Sequence, residues 1–299
     1  MQGRAAAPGA GTVVNALATG VGAAFALDVE TTAEVRLDPD ADGVAGDIAE
    51  ARDGDTRLIE RCVERVVDRF GDGEGGTVRT ESDVPTAAGL KSSSAAANAT
   101  VLAALDALGV DVADDSDAVP DADDRDADVT FTEACRIGVD AARDVGVTVT
   151  GAFDDAAASM LGGVVVTDNT SDSLRSRERF GYDALVWTPP ERAYSADADV
   201  DRCRQVAPMA DLAVDLALDG DYGDAMTVNG LAFSAALGFP TDPAVEAMPD
   251  CLGVSLSGTG PSVVAVGDAA DLRRVRDRWA RRDGDTVLTR TRNAGARID

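Results

Sequence analysis

The sequence of 299 residues contains no histidine. This absence excludes Ser-His-Asp triads, imidazole general bases and most zinc sites, because each of them needs an imidazole ring. The four cysteines lie far apart in the chain and form no Cys-x-x-Cys pair, which argues against a zinc cluster or a redox motif. Any chemistry must therefore rest on carboxylates, hydroxyl groups, lysine or the backbone.

Lysine is almost absent too. The 27 basic residues are 26 arginines and Lys91, against 54 acidic residues, so the formal net charge is -27. Such a surface repels the phosphates of nucleic acids and anionic lipids, so we expect neither nucleic-acid nor membrane partners. Abundant aspartate with scarce lysine and 4% aromatic residues resembles the proteins of salt-accumulating haloarchaea, where concentrated cations screen the repulsion between carboxylates.

Long apolar runs are missing as well. The uncharged stretch 5–27 is interrupted by Pro8, Asn15 and four glycines, and it lacks the leucine-rich run of a signal peptide. No 20-residue apolar segment that would span a membrane occurs elsewhere. We therefore expect a cytoplasmic protein, and both a monomer and a homodimer remain open.

Apolar spacing predicts a mixed α+β fold. A helix is expected over 56–70, and a strand over 77–82 leads through a glycine loop into a long Ala-rich helix. The Gly- and Ala-rich start of the chain predicts turns with close backbone packing, and the Asp-rich segment 111–128 predicts a solvated loop. The other predicted elements are helices over 130–145, 202–217, 222–237 and 270–280 and strands over 29–37, 164–167, 253–257, 263–266 and 286–291.

The strongest local signal is the glycine loop over 83–94, which brings three serines to the start of the long helix. Backbone N–H groups and the positive end of a helix dipole at such a loop bind phosphate, and serine hydroxyls can ligate Mg²⁺. An ordinary loop with a serine N-cap is the alternative interpretation. The only lysine of the chain, Lys91, lies in this loop and favours phosphate binding.

Two familiar phosphate-binding motifs are excluded. A P-loop needs glycine before its lysine, but Leu90 precedes Lys91, so the chain has no Gly-x-x-x-x-Gly-Lys-Ser/Thr. The loop also lacks the Gly-x-Gly-x-x-Gly spacing of dinucleotide-binding folds.

Three segments resemble the motifs of GHMP kinases, the superfamily of galactokinase, homoserine kinase and mevalonate kinase. Pro85-x-x-x-Gly89-Leu90-x-Ser92-Ser93-Ser94-Ala95 resembles the second, ATP-binding motif. Segments 8–15 and 256–262 resemble the first and third motifs, in the same order. The resemblance implies a two-lobed α+β fold with the active site in a cleft between an N-terminal ATP-binding domain, 1–150, and a C-terminal domain, 151–299. It also implies ATP and Mg²⁺ as cofactors and a small-molecule alcohol as the phosphoryl acceptor.

The resemblance further implies which residues bind the nucleotide and the metal. The metal ligands would be Ser93 and a carboxylate on the helix predicted over 130–145. Asp140 is the first candidate for this carboxylate and Asp144 the second. The nucleotide-binding residues would come from the second and third motifs, namely Pro85, Ala87, Ala88, Gly89, Leu90, Lys91, Ser92, Ser93, Ser94, Ala95, Gly258, Thr259 and Gly260.

The acidic pair Asp154 and Asp155 is the candidate catalytic centre, together with Lys91. In related kinases an aspartate precedes a serine by four residues and a glycine by seven, and Asp155 fits that register with Ser159 and Gly162. We therefore favour Asp155 as the base or charge partner for the attacking hydroxyl. Asp154 is the alternative for this role, because it fits the spacing to the upstream glycine. The alternative to any catalytic role is that the two aspartates only cap a helix.

Within the superfamily, segments 9–20 and 150–156 are similar to archaeal shikimate kinases. This similarity implies phosphoryl transfer from ATP to the 3-hydroxyl of shikimate. A homoserine kinase of the same superfamily and a non-catalytic ligand-binding regulator with this fold are the alternatives. The chain lacks the Gly-Glu continuation that sugar and mevalonate kinases have after Asn15.

The acceptor site is the least determined part of the sequence. Gly11 and Asn15 are candidates because they belong to the first motif. The carboxylate of shikimate calls for an arginine, whose guanidinium matches it with two hydrogen bonds. Arg290 and Arg292, and also Arg4, lie beside predicted strands and are the candidates for that contact.

Overall fold

The computed structural model describes residues 1–51, 53–83, 90–114, 128–148, 150–191 and 198–299. In these ranges the strands are β1 Gln2–Val14, β2 Val21–Asp38, β3 Val44–Ile48, β4 Gly75–Ser82, β5 Val112–Ala113, β6 Val129–Thr130, β7 Val164–Asp168, β8 Ser173–Glu178, β9 Asp183–Thr188, β10 Gly253–Leu256, β11 Val263–Gly267, β12 Asp285–Arg290 and β13 Arg297–Ile298. The helices are α1 Arg57–Phe70, α2 Ser92–Leu108, α3 Phe131–Asp144, α4 Phe153–Leu161, α5 Val200–Gln205, α6 Ala207–Leu218, α7 Tyr222–Leu237, α8 Asp242–Ala247 and α9 Ala269–Trp279.

The first sheet is built on a long antiparallel pair, β1 and β2. Because β2 has 18 residues, its free edge pairs with two strands, β4 along its second half and β7 along its first half. β3, β8 and β13 complete the sheet. The first half of β2 therefore carries the strand that directly follows α4, and this pairing fixes the position of α4.

Helix α2 lies against the first sheet and is buried along most of its length. Its alanines and a glycine on β1 allow backbone contact: a Cβ on Gly3 would lie 2.1 Å from the carbonyl oxygen of Ala103. α1, α3 and α4 pack around α2 and share one apolar core with it. Within the described ranges, no helix is long and apolar enough to cross a bilayer.

The second sheet is antiparallel, in the order β10-β11-β9-β12. Helices α6 and α7 lie between the two sheets, and one buried cluster joins Phe25 of β2, Met226 of α7 and Val264 of β11. On the far side, α8 and α9 cover the sheet around the fully buried Trp279, whose Nε1 donates to the carbonyl oxygen of Pro243 at 3.0 Å. The two lobes are thus packed through a common core.

Most of the predicted elements are confirmed within a few residues at their ends, including α1, α2, α3, α7 and α9. The prediction of one helix over 202–217 was wrong in one respect, because this segment is divided at Val206 into two helices, α5 and α6. Pro208 explains this division, since proline lacks the N–H of a helix interior but is accepted in a first turn.

The start of the chain was also predicted wrongly, because it forms the strand β1 and not a series of turns. Sequence patterns gave no strand at β9 and no helix at α4, although the first turn of α4 lines the cleft described below. The Asp-rich loop predicted over 111–128 lies largely outside the described residues, and its two ends form the short parallel pair β5–β6.

The two sheets do not divide the chain at residue 150. β7 and β8 follow that point and continue the first sheet, and the chain enters the second sheet at β9. Strand β13 then returns to pair with β1. The division into 1–150 and 151–299 stays a prediction about domains.

The contact between β1 and α2 supplies a test of how this fold is held together. Gly3→Ala should lower the free energy of unfolding by about 1–3 kcal/mol, because the added methyl group would force α2 away from the sheet. Denaturant unfolding in molar KCl measures the change. Gly181→Ala is the control, since nothing lies within 4 Å of a Cβ at that position, and it should change stability by less than about 0.5 kcal/mol. Equal losses in the two variants would contradict this account of the packing.

Candidate active site

The first side of the site is the start of α2. Lys91 occupies the N-cap position in a left-handed conformation, with φ 62° and ψ 35°. In the part of the chain that the structure describes, no side chain caps this helix, and its first turn holds no acidic residue. The first N–H groups of α2 and the positive end of its dipole are therefore suited to an anion.

The predicted nucleotide-binding residues of this segment are only partly described. Pro85, Ala87, Ala88 and Gly89 lie outside the described residues. Leu90 and Ala95 are buried next to the helix start. Ser92 and Ser94 are half-buried and Ser93 is exposed in the first turn.

The second side of the site is the start of α4. Ala152, its N-cap, is also left-handed, with φ 51°, and Asp154 and Asp155 lie in the first turn. The Nζ of Lys91 donates to Oδ2 of Asp155 at 2.7 Å, and each of these side chains is only 11% exposed. Oδ1 of Asp155 is buried and has no hydrogen-bond partner among the described residues. The three predicted catalytic residues thus come together where two helices begin.

Asp154 points toward a different neighbour. Its Oδ1 accepts a hydrogen bond from Nδ2 of Asn169 at 2.7 Å, and its backbone N–H donates to Oδ1 of the same asparagine at 3.1 Å. A Cβ on Gly22 would lie 2.4 Å from Oδ2 of Asp154, so only glycine allows this approach. Burial, and next the charge of Asp155, raise the pKa of Asp154 to about 7, while Lys91 opposes the rise.

The first and third motifs meet through buried hydrogen bonds. Asn15 donates from Nδ2 to the carbonyl oxygen of Gly258 at 2.8 Å, and the N–H of Gly258 donates to Oγ1 of Thr12 at 2.8 Å. The N–H of Asn15 donates to Oδ1 of Asn229. Nδ2 of Asn229 in turn donates to Oγ of Ser255. Asn229 lies buried on α7, and sequence reasoning missed it. This network holds the loop after β10 against the end of β1.

These segments line a narrow cleft of about 50 Å³. Thr259 lines it, whereas Gly260 packs beside the ring of Phe239. Several lining residues were not singled out from the sequence, among them Thr148 and Thr150. The cleft is lined by Thr12, Asn15, Ala16, Leu17, Lys91, Thr148, Thr150, Ala152, Asp154, Asp155, Gly258 and Thr259.

Other predicted acceptor residues do not line this cleft. A Cβ on Gly11 would lie 2.6 Å from the ring of Phe25, so this glycine makes room for an aromatic ring. Arg4, Arg290 and Arg292 form ion pairs with Asp299, Asp28 and Glu30, respectively. Their guanidinium groups are thereby engaged elsewhere on the molecule.

The predicted metal carboxylate lies on the outer face of α3. Asp140 pairs with Arg65 at 3.4 Å and with Arg143 at 3.3 Å. Asp144, the second candidate, pairs with Arg61 and Arg65, and these partners hold its pKa at about 2. Neither carboxylate lines the cleft. No cluster of three or more metal-ligating side chains occurs in the described ranges.

The environment of Asp154 predicts a pH dependence of stability. The native state keeps its proton up to about pH 7, whereas the unfolded chain releases it near pH 4. The free energy of unfolding of the wild type should therefore fall as pH rises from about 4 to 7, by up to about 1.4 kcal/mol per pH unit, relative to Asp154→Asn. Urea unfolding at a series of pH values measures the difference. Parallel curves for the two proteins would show that Asp154 does not bind this proton.

The sequence is similar to known proteins over nearly its whole length. A model of the GHMP kinases N terminal domain matches residues 57–163. A shikimate kinase of Halobacterium salinarum is 63% identical over 297 residues, which cover 99% of each chain. A shikimate kinase of Methanosarcina mazei is 47% identical over 300 residues, which cover 99% of this chain and 96% of that protein.

Solved structures share the fold at low sequence identity. A homoserine kinase from Cytophaga hutchinsonii superposes with a TM-score of 0.74 at 16% identity, covering 100% of this chain and 97% of that chain. The mevalonate kinase of Methanococcus jannaschii gives a TM-score of 0.70 at 13% identity, covering 97% and 98%. These likenesses confirm the predicted GHMP kinase fold and no more. Because the identity to the curated relatives extends over nearly the whole chain, the protein belongs to the archaeal shikimate kinase family of the GHMP kinases.

Proposed function

We propose that this chain transfers the γ-phosphoryl group of ATP to the 3-hydroxyl of shikimate, giving shikimate 3-phosphate and ADP. The curated relatives that match almost its whole length bear the name of this activity. One structural observation supports it best: Lys91 and Asp155 form a nearly buried pair where α2 and α4 begin. A phosphate-binding helix start and a carboxylate that addresses a hydroxyl are the two parts that a kinase must bring together.

ATP fits the start of α2 and the loop after β10. The uncapped first turn supplies N–H groups and a positive dipole end, and Lys91 adds a charge beside them. Gly258 and Thr259 line the opposite wall, where the network from Thr12 and Asn15 fixes the loop. These groups would hold the phosphates and place the γ-phosphorus toward Asp155.

Mg²⁺ fits Ser93 but not Asp140. Mg²⁺ prefers oxygen ligands and usually keeps several waters beside phosphate oxygens, so a hydroxyl in the first turn of α2 would be one ligand among these. Ser93 is exposed there, whereas Asp140 is paired with two arginines on another face. When bound, Mg²⁺ supplies positive charge that neutralises the phosphate oxygens during transfer.

Asp155 would orient the acceptor. Its buried Oδ1, which has no partner among the described residues, is able to accept a hydrogen bond from the 3-hydroxyl, while Lys91 holds Oδ2. The hydroxyl oxygen forms a bond to the γ-phosphorus as the bond to the β,γ-bridging oxygen breaks, and the hydroxyl proton passes to Asp155 and then to solvent. Burial raises the pKa of Asp154 to about 7, so this carboxyl group is partly protonated near neutral pH, which would limit the negative charge beside the attacking oxygen.

The composition suggests the setting in which this reaction takes place. A net charge of -27 needs concentrated cations to screen it, which supports a halophilic, cytoplasmic enzyme. Its partner would be a small molecule, without nucleic acid or membrane, and it would act as a monomer or a homodimer.

The two aspartates make separable predictions. Asp155→Asn should lower kcat with shikimate by about 10²–10⁴-fold, because the variant loses the proton acceptor, while ATP binding persists. Asp154→Asn should keep most of the activity, since an asparagine preserves the neutral, hydrogen-bonded state. ADP release measured in molar KCl with Mg²⁺ gives the rates, and calorimetry gives ATP affinity.

The same assay tests the acceptor, with shikimate, homoserine and mevalonate offered separately. Turnover of homoserine alone would make the protein a homoserine kinase. ATP binding without turnover of any acceptor would indicate a regulator. Loss of activity in Asp154→Asn but not in Asp155→Asn would show that Asp154 is the catalytic residue.

Salt should control stability through charge screening. We expect the chain to unfold below a few hundred millimolar KCl, because repulsion among its 54 acidic residues is then unscreened. Circular dichroism during dialysis follows the transition. Sucrose at matched osmolality is the control, since it favours compact states without screening charge. Equal protection by sucrose and KCl would argue against electrostatic repulsion as the cause.

A further inference from the structure

A second depression adjoins the cleft. Thr148 and Thr150 line both cavities, so the two lie side by side. Arg143, Asn169 and Asp172 line the second cavity, whose volume is about 620 Å³. It is open enough to admit a small molecule whose reacting group extends into the cleft.

Arg143 lies close to the catalytic helix. A Cβ on Gly151 would be only 2.2 Å from its Nη2, so the guanidinium rests against the backbone that leads into α4. Asn169 forms the wall between the cavities, because it bonds to Asp154 and also lines the second depression. A ligand held by Arg143 would therefore lie beside the acidic pair.

Positive charge is scarce in this region. Among the described residues that line the two cavities, the cations are Lys91 and Arg143. Lys91 is engaged by Asp155 and is placed to meet phosphate. On the function proposed above, the acceptor carries an ionised carboxylate, which a chain of net charge -27 would otherwise repel. Arg143 is the group left to attract it.

We propose that Arg143 binds the carboxylate of the acceptor and thereby sets the specificity for an acidic substrate. Its Nη1 and Nη2 donate to the two carboxylate oxygens of Asp172 at 2.6 and 2.7 Å, which is the geometry that a substrate carboxylate would adopt. Asp172 then acts as an internal substitute that the acceptor replaces.

The turn that carries Asp172 is anchored independently of this pair. Nε and Nη2 of Arg136 donate to the backbone carbonyl oxygen of Asp172 at 3.1 and 3.0 Å. Asp172 itself is left-handed, with φ 48°. Release of its side chain therefore leaves the turn held to α3, and the exchange needs only a side-chain movement.

The decisive experiment compares shikimate with its carboxamide, which keeps the hydroxyls but lacks the charge. Arg143→Met should lower kcat/KM for shikimate by about 10–100-fold, the usual effect of losing hydrogen bonds to a charged group, and should leave the carboxamide nearly unchanged. KM for ATP should not change. Asp172→Asn should lower KM for shikimate, because the competing carboxylate is gone.

Arg136→Met is the matched control. It removes the other arginine that holds the same turn, but Arg136 does not line the cavity, so the preference for the acid over the amide should persist. If Arg143→Met fails to fold, Arg143→Lys replaces it in the test. Lysine keeps the charge but cannot form the bidentate pair with a carboxylate, so this variant should lose part of the preference for the acid over the amide.

Two outcomes would overturn the inference. An equal loss on acid and amide in Arg143→Met would show that Arg143 only fastens the turn to α3. A rise in KM for shikimate in Asp172→Asn, as large as that in Arg143→Met, would show that the pair acts as one structural unit. Failure of the wild type to phosphorylate shikimate would instead refute the proposed function, and the two failures are thus distinguishable.

Discussion

The ion pair between Lys91 and Asp155 is the interaction on which the site depends. It joins the first turns of α2 and α4 at 2.7 Å and is nearly excluded from solvent. Removing one partner of such a pair leaves a buried charge uncompensated, which typically costs about 3–5 kcal/mol. The left-handed backbone at Lys91 and at Ala152, which costs about 1–2 kcal/mol per residue, is held in place by the same packing.

The surroundings of this pair are built by close backbone contacts. Gly3 lets α2 reach the sheet, and Gly22 lets Asp154 lie against β2. Strand β2 pairs with both β1, which carries the first motif, and β7, which lies between α4 and Asn169. This one strand therefore fixes the relative positions of the first motif, α4 and Asn169. Small residues at these points therefore determine the distance between the start of α2 and the acidic pair of α4.

Electrostatics acts at two scales in this protein. The surface is strongly acidic, and most of its arginines near the site are neutralised by aspartate, as Arg65 is by Asp144. Among the described residues that line the two adjoining cavities, Lys91 and Arg143 are the cations, and each is paired with an aspartate. In the functions proposed for them, Lys91 would exchange its partner for phosphate and Arg143 would exchange its partner for the acceptor carboxylate.

The sequence by itself determined the superfamily, the order of its motifs, the long helix α2 and the acidic pair, because these depend on local spacing and on residue types that few other folds need. It did not locate the strand β1, whose glycines suggest turns until α2 is seen to pack on them. The sequence also did not single out Arg143, the arginine that we propose for the acceptor carboxylate, because it is one of 26 arginines. The candidates chosen from the sequence, Arg290 and Arg292, are paired elsewhere. Contacts such as Asn15–Asn229 join residues 214 positions apart, and only the tertiary structure decides them, since long-range packing leaves no periodic signal in the chain.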